Sequence, residues 1–257
     1  MFEYTKKSLK LASQSKYLDK LLSIYPVQKA QLRIIPMKTQ ILVRDAFNKK
    51  DKNKLIKAFL NTEKFPVNDP YIASFRHNDF LFKDNPLNIN RIGSRLFFYE
   101  KSDDLIKMAS EPKTPSRQFG NAFKKWLHTL GFSFLKEAVF INSTKGAFLS
   151  GNEKFLNDFV TKKLKVNPEK RPDFLFKKNK SYYLGEANFI SDYGGSQDNQ
   201  VDKALAIADI STKNVKGIAV LDGIIWFSSN FKMHQKIKNS NNYILSALLL
   251  KEFLNKL

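Results

Sequence analysis

Residues 171–189 set an aspartate, a glutamate and an asparagine at a spacing that suits a divalent cation. The stretch reads Arg171-Pro172-Asp173-Phe174-Leu175-Phe176, then a polar turn at 177–180, then Tyr182-Tyr183-Leu184-Gly185-Glu186-Ala187-Asn188-Phe189. The apolar pattern predicts two strands, over 174–176 and 181–190, paired as a hairpin. Side chains alternate along a strand, so Leu184, Glu186 and Asn188 share one face, and Tyr183, Gly185, Ala187 and Phe189 the other. Asp173 falls on the neighbouring strand. Two carboxylates so placed can bind Mg2+ through oxygen, with the backbone carbonyl of Ala187 as a further ligand. Magnesium held with open positions acidifies its water and neutralises charge on a phosphoryl group under attack. The matching chemistry is hydrolysis of a phosphodiester. Asn188, two residues after the glutamate, can orient a water but carries no charge, so positive charge must come from a second ion or a lysine elsewhere.

An Asp and Glu at such spacing also occur on ordinary hairpins, where they do nothing of the kind. The proline before Asp173, the apolar strands around both acids and the polar residue at 188 favour the site. Just beyond it, Gly194 and Gly195 permit a close backbone approach to another chain. Ser196, Gln197 and Asn199 offer short polar groups for phosphates or base edges. With Arg117 and Arg171 they form the expected DNA contacts; the plainer alternative is a polar loop that caps a helix.

The rest of the chain must hold these groups in place. At 257 residues it has room for one large domain or a catalytic domain with a helical companion. Helical spacing predicts helices over 9–25, 39–48 and 51–60 in the first half, followed by a long loop over 66–90. The short apolar run 95–99 fits strand or helix. A helix over 117–130 ends at Gly131, and strand residues follow over 135–141. A helix over 153–164 precedes the hairpin. Helix 199–210, strands 215–221 and 224–227 around an Asp222-Gly223 turn, and an amphipathic helix 243–257 complete the pattern. Strands alternating with helices imply an α/β fold, a mixed sheet flanked by helices, behind a mainly helical amino-terminal part. The expected division is 1–110 as the helical region, used for dimer or DNA-flank contacts, and 111–257 as the catalytic core.

Composition narrows the partners. A net charge of +20 fits a polyanion such as double-stranded DNA, although a lysine-rich solvated surface would give the same figure. Cysteine is absent, which excludes thiolate metal centres, and the three histidines, His77, His128 and His234, lie far apart, which argues against a multi-histidine one. His128, near Trp126, reads as a packing residue. Neither a signal-like apolar segment nor a run of about 18 apolar residues occurs, and a soluble, cytoplasmic protein is expected.

The catalytic stretch resembles the DpnII/MboI group of type II restriction endonucleases, within the PD-(D/E)XK superfamily. The likeness rests on Arg171-Pro172-Asp173-Phe174, Glu186-Ala187-Asn188-Phe189 and Gly194-Gly195-Ser196. Further islands fall in matching order: Leu32 to Pro36 with Ile41 to Arg44, Arg117 to Phe123, and Val220 to Trp226. The resemblance implies a restriction-endonuclease-like core and catalytic roles for Asp173, Glu186 and Asn188. It implies Mg2+ as cofactor, 5′-phosphate products, a GATC target, a homodimer and a cognate DNA methyltransferase in the same system. Two departures stand out. Gln197 replaces a customary lysine, and Lys124 and Lys125 occupy a helix that often carries a glutamate in the group. The competing readings are a repair or recombination nuclease of the same superfamily, a DNA-binding protein without catalysis, and a basic structural protein.

Overall fold

The computed structural model describes residues 2–27, 32–112, 119–227 and 230–257, without the side chains of His77 and Asp79. The chain forms two compact units, one of Met1–Gln28 with Thr114–Leu257 and the other of Lys29–Lys113. The single division expected at 110 thus becomes two, since Met1–Gln28 belongs with Thr114–Leu257.

Helix α1 (Glu3–Ala12) buries Tyr4, Thr5, Ser8 and Ala12, one face at helical spacing. Lys16 then takes a left-handed conformation, φ 65°, and α2 (Tyr17–Leu21) starts anew, so the single helix expected over 9–25 is broken in two. The second unit is helical: α3 (Met37–Asn48), α4 (Lys52–Leu60), α5 (Ile72–His77), α6 (Asp79–Asp84), α7 (Pro86–Leu96) and α8 (Ser102–Ser110). Helices α3 and α4 stand where the spacing predicts them, and the Asp51 carboxylate caps α4 by accepting from the Lys54 amide at 3.0 Å. The expected loop over 66–90 instead carries three short helices. Pro86 opens α7 at its first turn, where a missing N–H costs nothing, rather than breaking it. The ambiguous run 95–99 is the end of that helix. Leu55, Ile56, Phe59, Ile92, Leu96 and Leu105 fill the core of this unit.

The first unit holds a six-stranded sheet among the described residues, ordered β1 (Ser133–Leu135), β2 (Ala147–Leu149), β3 (Phe174–Lys178), β4 (Ser181–Ile190), β5 (Val215–Gly223) and β6 (Tyr243–Leu245). Strands β2, β3 and β4 are antiparallel, while β1 pairs parallel with β2 and β4, β5 and β6 run parallel. The remaining helices are α9 (Phe119–Leu127), α10 (Glu137–Asn142), α11 (Glu153–Lys163), α12 (Ser196–Ala208), α13 (Lys232–Asn239) and α14 (Leu250–Lys256). The expected mixed α/β sheet with flanking helices is therefore present. One sheet face packs Phe174, Phe176, Tyr183 and Ala187 with Tyr25 and Phe123. The other packs Leu175 and Leu184 with Phe140, Leu156 and Phe159. Apolar layers on both faces explain why β5 reads as a nearly unbroken apolar run.

Three expectations fail here. Residues 137–142 are helix, not strand: Glu137 suits a first helical turn, and of this segment Phe140 alone is buried. Asp222-Gly223 is no hairpin turn, because β5 runs straight through to Gly223 before a short 3-10 turn at Ile224–Trp226. Gly223 has φ 89° and a Cβ there would stand 2.1 Å from the Ile190 carbonyl oxygen, so only glycine ends this strand. Finally, 243–257 is a strand, a 3-10 turn and α14, because β6 pairs with β5 from Tyr243 to Leu245. Among the described residues no helix is long and apolar enough to cross a membrane.

Candidate active site

Strands β3 and β4 pair with Phe174 opposite Gly185. Asp173 lies just before β3, where its amide donates to the Gly185 carbonyl at 2.8 Å, which brings it beside Glu186 on β4. The local sequence enforces this approach. The Phe174 ring lies over Gly185, where an added Cβ would meet the ring at 1.9 Å. A side chain at 185 would push the two strands apart next to both acids.

The carboxylates are held differently. Asp173 Oδ2 accepts from the Ala187 amide at 3.0 Å. Its Oδ1 lies 3.4 Å from the Lys124 ammonium. Glu186 is fully buried. Its Oε1 accepts from Asn188 Nδ2 at 2.9 Å and pairs with the Lys170 ammonium. Its Oε2 is buried with no hydrogen-bond partner. A buried acceptor left unpaired is costly, and here it stands beside a second carboxylate. Burial pushes the Glu186 carboxyl up to about 7, the charge of Asp173 adds to this, and Lys170 and Asn188 pull the other way.

Helix α9 supplies Lys124. Phe123 and Leu127 are its buried residues, and the Phe123 ring packs against Phe174 at 6.1 Å. That contact brings the next residue, Lys124, to Asp173. The same ammonium pairs with Glu153, which lies in the first turn of α11; Asn152 caps that helix by accepting from the Phe155 amide at 2.9 Å. Burial lowers the Lys124 ammonium, but Glu153 and Asp173 outweigh it and hold the group above its ordinary value. A cleft of about 520 Å³ opens here, lined among others by Lys124, His128, Glu153, Arg171 and Asp173.

The expected residues thus divide. Asp173, Glu186, Ala187 and Asn188 come together, and the exposed Arg171 lines the adjoining cleft. Gly194 and Gly195, both at positive φ, lead into α12, with exposed Ser196 and Asn199 and half-buried Gln197 in its first turn. The helix begins at 196 rather than 199, so these polar groups sit on a helix start and not on a loop. Gly195 has the N-cap position, and the Gly194 amide donates to Asp198 at 3.1 Å. Tyr193 stacks on Phe231 with ring centres 3.7 Å apart beside this turn. Arg117 lies outside the described residues. His128 stacks on Phe134 at 3.8 Å, and buried His234 meets the Ile225 carbonyl at 2.8 Å, so both act in packing.

Sequence reasoning did not single out Lys170 or Glu153, and it counted Lys124 only as a departure. The signal for Lys170 was its place beside Arg171-Pro172-Asp173, where a basic pair precedes a rigid residue. Glu153 carried none beyond an ordinary helix start.

The donor set fits magnesium in kind. All its side-chain donors are carboxylate oxygens, with one unpaired, and Mg2+ commonly takes one or two carboxylates and fills its remaining positions with water and phosphate. Among the described residues no cluster of three or more His, Cys, Asp or Glu side chains is grouped for a metal.

A family model described as Tsp45I type II restriction enzyme matches residues 3–257. The match covers both units and the whole of the sheet. No curated protein and no solved structure matches the chain.

Proposed function

Because the chain belongs to the Tsp45I type II restriction enzyme family, we propose that it is a type II restriction endonuclease cutting double-stranded DNA with Mg2+ through a PD-(D/E)XK site. The observation that carries the catalytic part is Asp173 hydrogen-bonded to Gly185 and Ala187 on either side of Glu186, with Glu186 Oε2 buried and unpartnered. Asp173, Glu186 and the Ala187 carbonyl would hold the ion. When bound, the ion supplies an acidified water and charge neutralisation at the scissile phosphate. The protein's own groups do the rest. The Ala187 amide fixes Asp173 Oδ2, and Asn188 fixes Glu186 Oε1, which leaves Oε2 as the open oxygen. Arg171 and Lys124 draw a phosphate into the cleft.

In the overall reaction one water adds to phosphorus and the P–O3′ bond breaks with its electrons on O3′. The water's proton passes to solvent and O3′ takes one from solvent, leaving a 3′-hydroxyl and a 5′-phosphate. The start of α12, with Gly194, Gly195, Ser196, Gln197 and Asn199, together with Arg117, would contact the DNA. The helical unit Lys29–Lys113 would supply dimer or DNA-flank contacts, a homodimer being suited to a symmetric target. A DNA methyltransferase of the same system would protect the host's own sites. GATC, expected on resemblance alone, is the target to test first.

The test is digestion of DNA of known sequence with Mg2+, followed by sequencing of the ends. Discrete fragments with 5′-phosphates at one recurring sequence are expected, and a chelator should abolish them. A smear, or intact DNA, overturns the reading.

A further inference from the structure

The active site lacks a charge where it most needs one. Hydrolysis of a phosphodiester builds negative charge around phosphorus, and fixed positive charge aimed there is worth more than any other single contribution. Residue 188 is an amide, so it contributes none. Lys170, however, places its ammonium on Glu186 Oε1, the same atom to which Asn188 Nδ2 donates at 2.9 Å. Two donors sharing one acceptor are necessarily neighbours. A cation therefore already stands next to the polar head of residue 188, delivered from a different part of the chain.

Its delivery is built into the fold. Lys170 sits three residues before Asp173, and between them Pro172 is buried and conformationally restricted. The lysine and the aspartate are thus carried into the site on one short, stiff segment. The Lys170 side chain is 38% exposed while its partner carboxylate is wholly buried. The side chain is thus partly open to solvent while its ammonium contacts the buried acid. Lys124 does not compete for this role, since its ammonium is tied to Glu153 and lies on the Asp173 side.

We infer that Lys170 supplies the positive charge missing at residue 188, orienting the attacking water and stabilising the charge that builds at phosphorus beside Glu186 as the bond breaks. This rests on the proposed nuclease reading and deepens it. It assigns a substrate-facing role to a residue outside the hairpin that carries Asp173, Glu186 and Asn188.

The test compares single-turnover cleavage at saturating DNA and Mg2+ for wild type, Lys170→Gln, Lys170→Arg, and Lys170→Gln combined with Asn188→Lys. Lys170→Gln should lower the cleavage rate by about 100-fold or more, while DNA affinity in Ca2+ changes by less than about threefold. Lys170→Arg should keep at least about a tenth of the rate, since charge persists with altered geometry. The double variant should regain about tenfold or more over Lys170→Gln, because a lysine at 188 returns an ammonium to the same neighbourhood. A Lys170→Gln rate within about threefold of wild type overturns the assignment, as does a loss that resides in affinity or is not recovered by Asn188→Lys. If Lys170→Gln does not fold, Lys170→Met, which keeps the length of the stem, is read by the same criteria. Wild type that cuts nothing would instead refute the nuclease reading itself, whatever the lysine variants do.

Discussion

The hydroxyl of Tyr25 donates to Asp222 Oδ2 at 2.9 Å, joining residues 197 positions apart in sequence. Tyr17 donates to the other oxygen at 3.2 Å, Ser246 also donates to it, and the Ala247 amide reaches Oδ2 at 3.2 Å. A fully buried carboxylate at the end of β5 thereby binds α2 and the turn after it to the sheet. Thr5, donating to the Ile244 carbonyl at 2.9 Å, and Ser8, accepting from the Ser246 amide at 2.9 Å, do the same for α1.

This network should be visible in pH titration. Burial raises the Asp222 carboxyl from 3.8 to about 6, against the pull of Ser246, Tyr25, Ala247 and Tyr17. A carboxyl whose folded value lies above its unfolded one stabilises fully below the unfolded value, and that contribution is lost as pH rises through the folded one. Stability from this group should therefore fall between about pH 4 and pH 6. Thermal midpoints of wild type and Asp222→Asn over that range measure it; equal slopes for both proteins would refute the claim. Tyr25→Phe should cost about 1–2 kcal/mol in denaturant unfolding, as one donor to a buried acceptor is lost.

Metal binding should be proton-linked. The Glu186 carboxyl, raised to about 7 by burial and then by Asp173, must lose its proton to act as a ligand. Calcium affinity should rise with pH up to about 7 and level off above it. Calorimetry in buffers of different ionisation enthalpy counts the protons released. Glu186→Gln should remove the pH slope and slow cleavage by about 1000-fold. Proton release that persists in the variant would assign it to another group.

Gly185→Ala should cost about 1–3 kcal/mol by overpacking, because its Cβ would stand 1.9 Å from the Phe174 ring. Phe174→Leu in the same chain should recover part of the loss. Chemical denaturation of the two single variants and the double variant measures this. A Gly185→Ala protein as stable and active as wild type would show that the close approach does not set the spacing of Asp173 and Glu186.

DNA affinity should fall steeply with salt, given the net charge of +20. Arg171 lines the cleft and is exposed. Arg171→Ala should weaken binding to all sequences alike and reduce the log–log salt slope by about 1. Binding titrations in Ca2+ at several salt concentrations decide it, and an unchanged slope removes Arg171 from the phosphate contacts.

The helical unit carries its own buried acid. Asp69, its side chain fully buried, is held by a two-pronged contact from Arg91 and by Arg95 at 3.0 Å. Arg91 chiefly draws the Asp69 carboxyl below its ordinary value. Its stabilising effect is present above the unfolded value near pH 4 and is lost as pH falls further. Asp69→Ala should destabilise this unit by about 2 kcal/mol, measured as protease susceptibility or unfolding followed within 29–113.

The hairpin with its two acids was legible in the sequence because every cue there is local. Proline, period-two apolar residues and a polar turn set β3 and β4, and strand alternation alone puts Glu186 with Leu184 and Asn188. Helices α3, α4 and α11 were legible for the same reason, through apolar spacing within one turn or two. What the sequence did not determine depends on partners far along the chain. Asp222-Gly223 resembles a turn until Tyr17, Tyr25 and Ser246 converge on the acid and Ile190 presses on the glycine. Residues 243–245 become a strand only because β5 offers a free edge to pair with. Lys124 and Lys170 are two among many lysines until packing of Phe123 on Phe174 and the stiff segment at Pro172 bring them to the carboxylates. A charge acts over a few ångströms, and which charges come that close is decided by the packing of the whole unit rather than by any spacing in the chain.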